Sequence, residues 1–108
     1  MINEVPYRIG DATVDFFSGR AELHGGSVAL SPKESQLLRY LLTHSGEVIS
    51  RKELLARVWG SVDVETRTVD VHVAKLRRKL EVDPQHPRYL ITVRKNGYSL
   101  LLNQAENR

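Results

Sequence analysis

Cysteine is absent from the 108 residues. No disulfide framework or thiolate metal site can form, and the chain does not depend on an oxidising compartment. No run approaches the roughly eighteen apolar residues of a membrane-spanning helix. The start Met1-Ile2-Asn3-Glu4 lacks the basic region and apolar run of a signal peptide, so a soluble, unprocessed cytoplasmic protein is expected. His24, His44 and His86 are isolated and expected at the surface; with no ligand-like spacing, neither metal nor cofactor is expected. No nucleophile, acid/base pair or cofactor loop is recognisable, so the chain does not read as an enzyme. Ser31 and Ser50 resemble nucleophiles only by type, and helix capping accounts for both.

Length points to one domain with a single core. The net charge is only +3, but it is unevenly placed. Residues 1–66 hold seven Lys/Arg and nine Asp/Glu, whereas residues 67–95 hold eight and three. This asymmetry is the footprint of a polyanion binder; an acidic membrane surface or an acidic protein partner would give the same balance.

Residues 1–5 read as a lead, 6–102 as the domain and 103–108 as a tail. Between Tyr7 and Leu30, short alternations (Tyr7/Ile9, Ala12/Val14/Phe16, Ala21/Leu23, Val28/Leu30) are separated by Gly10-Asp11, Ser18-Gly19 and Gly25-Gly26. Four antiparallel strands with tight turns are predicted. At Ser31-Pro32-Lys33-Glu34 the period changes: Ser31 and Glu34 form a capping box, and Pro32 takes the first helical position. Leu37, Leu38, Leu41 and Leu42 bury this helix, and Gly46 is expected to close it as a left-handed cap. Ser50 and Glu53 suggest a second capping box, with Ile49 stapled on Leu54. Leu54, Leu55 and Val58 bury this shorter helix, which ends at Trp59-Gly60.

After a loop over 60–65, residues 66–80 form an amphipathic helix with Thr66 as its cap. Val69, Val73, Leu76 and Leu80 gather into one apolar stripe at roughly 100° per residue. Arg67, Val71, Ala74, Lys75 and Arg78 fall opposite. A helix of about 10 Å diameter fits the major groove, where Arg and Lys reach guanine edges and phosphates and apolar side chains meet thymine methyls. Taken alone, such a charge run is more often a solvated face. Asp83-Pro84 and Pro87 end the helix near Glu81. Asn96-Gly97 then signals a two-residue hairpin turn, predicting the pairs Lys95/Tyr98, Arg94/Ser99, Val93/Leu100 and Thr92/Leu101. Val93, Leu100, Ile91 and Leu102 would face inward, and Thr92, Arg94 and Ser99 outward. Arg94 and Lys95 would lie near the tip of a wing reaching a neighbouring groove.

In this order the motifs resemble the winged-helix DNA-binding domain of the OmpR/PhoB family of bacterial two-component response regulators. They are Ile9-Gly10-Asp11, Leu30-Ser31-Pro32-Lys33-Glu34, Gly46-Glu47-Val48-Ile49-Ser50-Arg51, Val58-Trp59-Gly60, Arg67-Thr68-Val69-Asp70-Val71-His72-Val73, Leu76-Arg77-Arg78-Lys79-Leu80, Thr92-Val93-Arg94 and Gly97-Tyr98. The resemblance implies an α+β winged helix-turn-helix: an N-terminal four-stranded antiparallel sheet, three helices and a C-terminal β-hairpin wing. It implies sequence-specific binding of double-stranded DNA for transcription regulation, with helix 66–80 in the major groove and wing 92–99 at the minor groove. The matching DNA-binding positions are Arg51, Trp59, Arg67, Thr68, Val71, His72, Lys75, Arg77, Arg78, Thr92 and Arg94, with Lys95 added from its place at the tip. The loop with Gly60, Val62 and Glu65 corresponds to one that touches RNA polymerase.

Two departures stand out. The usual Arg-Gly-x-Gly-Tyr wing is here Arg94-Lys95-Asn96-Gly97-Tyr98, and Ala74 replaces a frequent Arg. Residues 1–30 are too few for the receiver domain that usually precedes this module, so the chain reads as an excised effector domain or a free-standing relative. A monomer that pairs in tandem on direct-repeat half-sites is expected. Trp59 reads either as core or as an indole N–H offered to a phosphate, and His72 either as a packed histidine or as a phosphate donor. The rival function is a winged-helix protein-interaction module with only nonspecific DNA affinity. A membrane role ranks below both, because the basic helix lacks bulky aromatics on its apolar edge.

Overall fold

The computed structural model describes residues 6–61 and 63–102; the expected lead, the expected tail and Val62 lie outside the described residues. Four strands, β1 (Tyr7–Ile9), β2 (Ala12–Asp15), β3 (Arg20–Leu23) and β4 (Gly26–Ala29), form an antiparallel sheet in sequential order. Helix α1 (Pro32–Thr43) follows, then α2 (Arg51–Leu54), which widens directly into a π-helical stretch, Leu55–Trp59. Helix α3 (Arg67–Leu80) and the hairpin β5 (Leu90–Val93) and β6 (Gly97–Leu100) complete the domain. No helix among the described residues is long and apolar enough to cross a membrane.

The core forms where the apolar periods converge. Val69, Val73 and Leu76 of α3 are fully buried and Leu80 nearly so, against α1 leucines 37, 38, 41 and 42 and sheet residues Ile9, Ala12, Val14 and Ala21. The capping box at α1 is present in both directions: Glu34 N donates to Ser31 Oγ (3.1 Å) and Ser31 N to Glu34 Oε1 (2.8 Å). Glu34 also meets Lys79 Nζ at 2.6 Å, and the same ammonium donates to Ala29 O at 2.9 Å. One cation from the end of α3 thus ties the edge strand and the start of α1. Burial alone would raise the Glu34 carboxyl, but the Lys79 and Ser31 hydrogen bonds outweigh it and hold it below its ordinary value.

Several local expectations are corrected. Gly46 is left-handed (φ 86°), but it lies two residues beyond the His44 cap, and its N–H donates to Leu100 O in β6 (2.9 Å). It docks the inter-helix turn on the wing rather than closing α1. Ser50 accepts from Glu53 N (3.0 Å), but the Glu53 carboxylate goes to Tyr40 OH (2.6 Å), so only half of the second capping box forms. Thr66 precedes α3 in a helical conformation and its side chain makes no capping bond. His44, expected at the surface, is half-buried against the Tyr40 ring, with centroids 4.3 Å apart.

The largest correction concerns the wing. The observed pairs are Leu90/Leu100, Ile91/Ser99, Thr92/Tyr98 and Val93/Gly97, with Arg94, Lys95 and Asn96 as a three-residue loop. Leu100 stays inside as expected, but its partner is Leu90 rather than Val93. Thr92 pairs with buried Tyr98 but is itself exposed, as expected, whereas Ser99 is buried rather than outward, its hydroxyl without a partner among the described residues. The cause is tertiary. Ile49 exchanges backbone hydrogen bonds with Tyr98 (2.8 and 2.9 Å), making β6 the middle strand of a three-stranded patch. A Cβ on Gly97 would stand 2.0 Å from Ile49 O, and its φ of 139° is one that side-chain-bearing residues rarely adopt, so glycine is required both by close approach and by its backbone conformation. The left-handed residue of the tip is Lys95, with φ 68°.

Two outcomes follow. Lys79→Ala leaves the buried Glu34 carboxylate without its cation and should lower stability by about 2 kcal/mol at neutral pH. Because the folded Glu34 pKa lies below its unfolded value, the pair's contribution is full above the ordinary glutamate range and is lost as pH falls through the folded value. The Lys79→Ala deficit in urea melts should therefore shrink on acidification; a deficit independent of pH would place the effect elsewhere. Lys95→Gly relieves a non-glycine left-handed residue and should raise stability by about 1 kcal/mol, read by thermal melting.

Candidate nucleic-acid interface

Burial of the α3 stripe determines what the helix presents outward. Arg67, Val71, Lys75 and Arg78 are exposed, with Val71 46% accessible amid the cations, while Thr68, His72 and Ala74 are half-buried along the margins. Ala74 lines a groove of about 430 Å³ with Arg77, Arg78 and Asp83 to Gln85. Arg94 and Lys95 project from the wing tip beside Asn96, all three exposed. Among the described residues, none of Arg67, Lys75, Arg78, Arg94 and Lys95 enters an ion pair. Their charge is free for an external anion.

The other expected positions are held within the protein. Arg51, at the start of α2, places Nε 2.7 Å from Asp70 Oδ1 in the first turn of α3. The Tyr98 hydroxyl donates to the same oxygen at 2.5 Å. Burial alone would raise the Asp70 carboxyl, but these two partners hold it below its ordinary value. Burial and then Asp70 push the Tyr98 phenol up, and the Asp70 hydrogen bond raises Arg51. Arg77 lies over the Tyr98 ring, 5.7 Å from its centroid, donating from Nε to Leu90 O (3.0 Å) and from Nη2 to Thr92 Oγ1 (2.7 Å). Burial draws its guanidinium below the ordinary arginine value. Arg77 and Thr92 thus already bond each other.

Trp59 and His72 meet edge to face, with centroids 5.0 Å apart, and Lys33 Nζ lies 5.8 Å from the indole centroid. His72 Nδ1 lies 2.8 Å from Thr68 O. A carbonyl only accepts, so that nitrogen carries the proton, and a donor at Nε2 requires the imidazolium. Gly60 terminates the π-helical stretch in a left-handed conformation, and Glu65 is exposed before α3; Val62, the third residue expected in that loop, lies outside the described residues. No group of three potential metal ligands converges among the described residues.

Sequence reasoning missed Glu81. It is 3% accessible, and its carboxylate accepts from the backbone N–H groups of Arg88 (2.9 Å), Tyr89 (3.1 Å) and Leu90 (2.8 Å). The available signal was an acid at the negative end of a helix, an unfavourable place unless donors face it.

Comparison with known proteins places this geometry. The family model described as "Transcriptional regulatory protein, C terminal" matches residues 25–100. The sensory transduction protein RegX3 of Mycobacterium tuberculosis is 44% identical over 92 residues, 84% of this chain and 40% of that protein. The regulatory protein SphR of alkaline phosphatase synthesis in Synechococcus elongatus is 43% identical over 83 residues, 75% and 32% of the two chains. The chain thus spans well under half the length of these relatives. The DNA-binding domain of Escherichia coli CadC superposes with a TM-score of 0.78 at 33% identity, covering 93% and 94% of the two chains. The RstA DNA-binding domain of Klebsiella pneumoniae, solved with its RstA box, gives 0.73 at 33% identity over 89% and 96%. DrrB of Thermotoga maritima, an OmpR/PhoB homologue, gives 0.77 at 32% identity over 89% of this chain and 44% of its own. Helix order, hairpin and matched residues agree: the chain belongs to the family of transcriptional regulatory protein C-terminal domains and is a winged-helix DNA-binding domain of the OmpR/PhoB type.

Proposed function

We propose that this domain binds double-stranded DNA in a sequence-specific manner, with α3 in the major groove and the wing tip at the adjacent minor groove, as the cytoplasmic effector module of a response regulator. The observation that carries this reading is the row of free cations Arg67, Lys75 and Arg78 around exposed Val71 on the face of α3 opposite the core. Cations give affinity and bidentate base contacts, and the apolar gap between them suits a thymine methyl. Arg94 and Lys95 extend the positive surface to the wing, where a narrow minor groove attracts basic side chains. Trp59 offers its indole N–H to phosphate at the margin, with His72 packed beside it. Thr68 borders the same groove face. Arg51, Arg77 and Thr92 contribute chiefly by holding the frame.

The solved relatives in complex with an RstA box and with an intercistronic region support duplex DNA as partner. The domain is a monomer alone and pairs in tandem on direct-repeat half-sites about one helical turn apart. The loop bearing Gly60 and Glu65 is the surface offered to RNA polymerase.

Selection from random duplexes followed by titration at two salt concentrations tests the core of this reading. Lys75→Ala and Arg78→Ala should each cost about 1–3 kcal/mol on the selected site and less on random duplex. Equal losses on both would make them phosphate contacts. Weak, sequence-blind attraction throughout would favour a protein-interaction module instead. Sedimentation should show a monomer without DNA; a stable free dimer, or equal affinity for inverted half-sites, would overturn the tandem arrangement.

A further inference from the structure

We propose that Arg77 and Glu81 form a positioning clamp that joins the wing rigidly to the recognition helix, so that the spacing between base pairs read by α3 and base pairs met by the wing is set inside the protein. The inference rests on the winged-helix DNA-binding reading above and assigns it a determinant of site spacing.

An edge strand normally leaves alternate N–H and C=O groups facing away from its partner strand. In β5 these groups belong to Leu90 and Thr92; Leu90 is fully buried, and the end of α3 takes both of its groups. The Leu90 N–H donates to Glu81 Oε2 (2.8 Å), and the Leu90 carbonyl accepts from Arg77 Nε (3.0 Å). Glu81 also gathers the N–H groups of Tyr89 and Arg88, and Arg77 reaches one residue pair further to Thr92 Oγ1 (2.7 Å). The second wing strand is held from the same helix, because Tyr98 of β6 lies under the Arg77 guanidinium and bonds Asp70. Helix and hairpin therefore share hydrogen bonds along the whole base of the wing.

The residue types suit the task. A carboxylate has acceptor capacity for three N–H groups, whereas a glutamine amide would turn its own donors toward them. A guanidinium presents donors in a planar fork that serves a carbonyl and a hydroxyl together; a lysine offers one compact ammonium. Because these atoms are committed internally, Arg77 governs where Arg94 and Lys95 stand without touching DNA.

The test uses duplexes selected by the wild-type chain, with the α3 and wing segments located by footprinting, and variants of the site carrying one base pair inserted or deleted between them. Wild type should lose about tenfold in affinity on either shifted site. Arg77→Lys, which retains charge and stem, should bind the parent site more weakly, yet its shift penalty should fall below about threefold because the wing can adapt. Glu81→Gln should behave alike, and the double variant should add little beyond either. Arg77→Met should leave the salt slope of binding unchanged. Arg94→Ala should remove the shift penalty in every background. A folded Arg77→Lys protein that keeps the wild-type penalty overturns the clamp, as does an Arg77→Met slope reduced by one phosphate equivalent. A wild type with no penalty, and no wing-side footprint, would instead remove the minor-groove reading on which the clamp depends.

Discussion

Burial of one narrow stripe on α3 is the constraint on which the interface depends. Val69, Val73, Leu76 and Leu80 occupy the only arc of the helix that is continuously apolar, and the core receives them almost without exposure. Each such side chain contributes about 1.5–3 kcal/mol when buried, so a rotated helix would forfeit several of them and bury cations in their place. Orientation of Arg67, Lys75 and Arg78 toward solvent is therefore a consequence of core packing. Affinity for a polyanion is left on the surface by the same pattern that folds the domain.

Carboxylates supply the second layer of order. Glu34, Asp70 and Glu81 are all at least partly buried, and each joins α3 to a different neighbour: Glu34 through Lys79 to α1 and β4, Asp70 through Arg51 and Tyr98 to α2 and β6, and Glu81 to the approach of β5. Hydrogen bonds to charged acceptors are stronger and more directional than apolar contacts, so they settle relative positions that packing alone leaves loose. Helix α3 is the hub of all three. In a DNA-binding domain such acids are best placed at the joints, where their negative charge is kept off the outer face.

What the amino-acid order determined unaided was whatever depended on local period and capping. The sheet of four short strands, the capping box of Ser31 and Glu34, the buried and exposed faces of α3 and its end before Asp83-Pro84 are all observed where alternation, helical spacing and proline place them. These are decided within a few residues, because each rests on a backbone repeat or on one side chain meeting the next turn.

Tertiary structure alone decided the wing register, the duties of Gly46, Gly97 and Glu53, and the internal engagement of Arg51, Arg77 and Thr92. Asn96-Gly97 favours a two-residue turn locally, yet the pairing moves because Ile49, distant in sequence, takes the backbone of Tyr98 and leaves no room for a Cβ at position 97. Arg77 and Arg78 are adjacent and chemically identical, but one spends its donors on Leu90 and Thr92 while the other stays exposed. A helical step of roughly 100° separates them, and only the position of the hairpin against that helix determines which guanidinium finds a carbonyl and which is left exposed on the outer face.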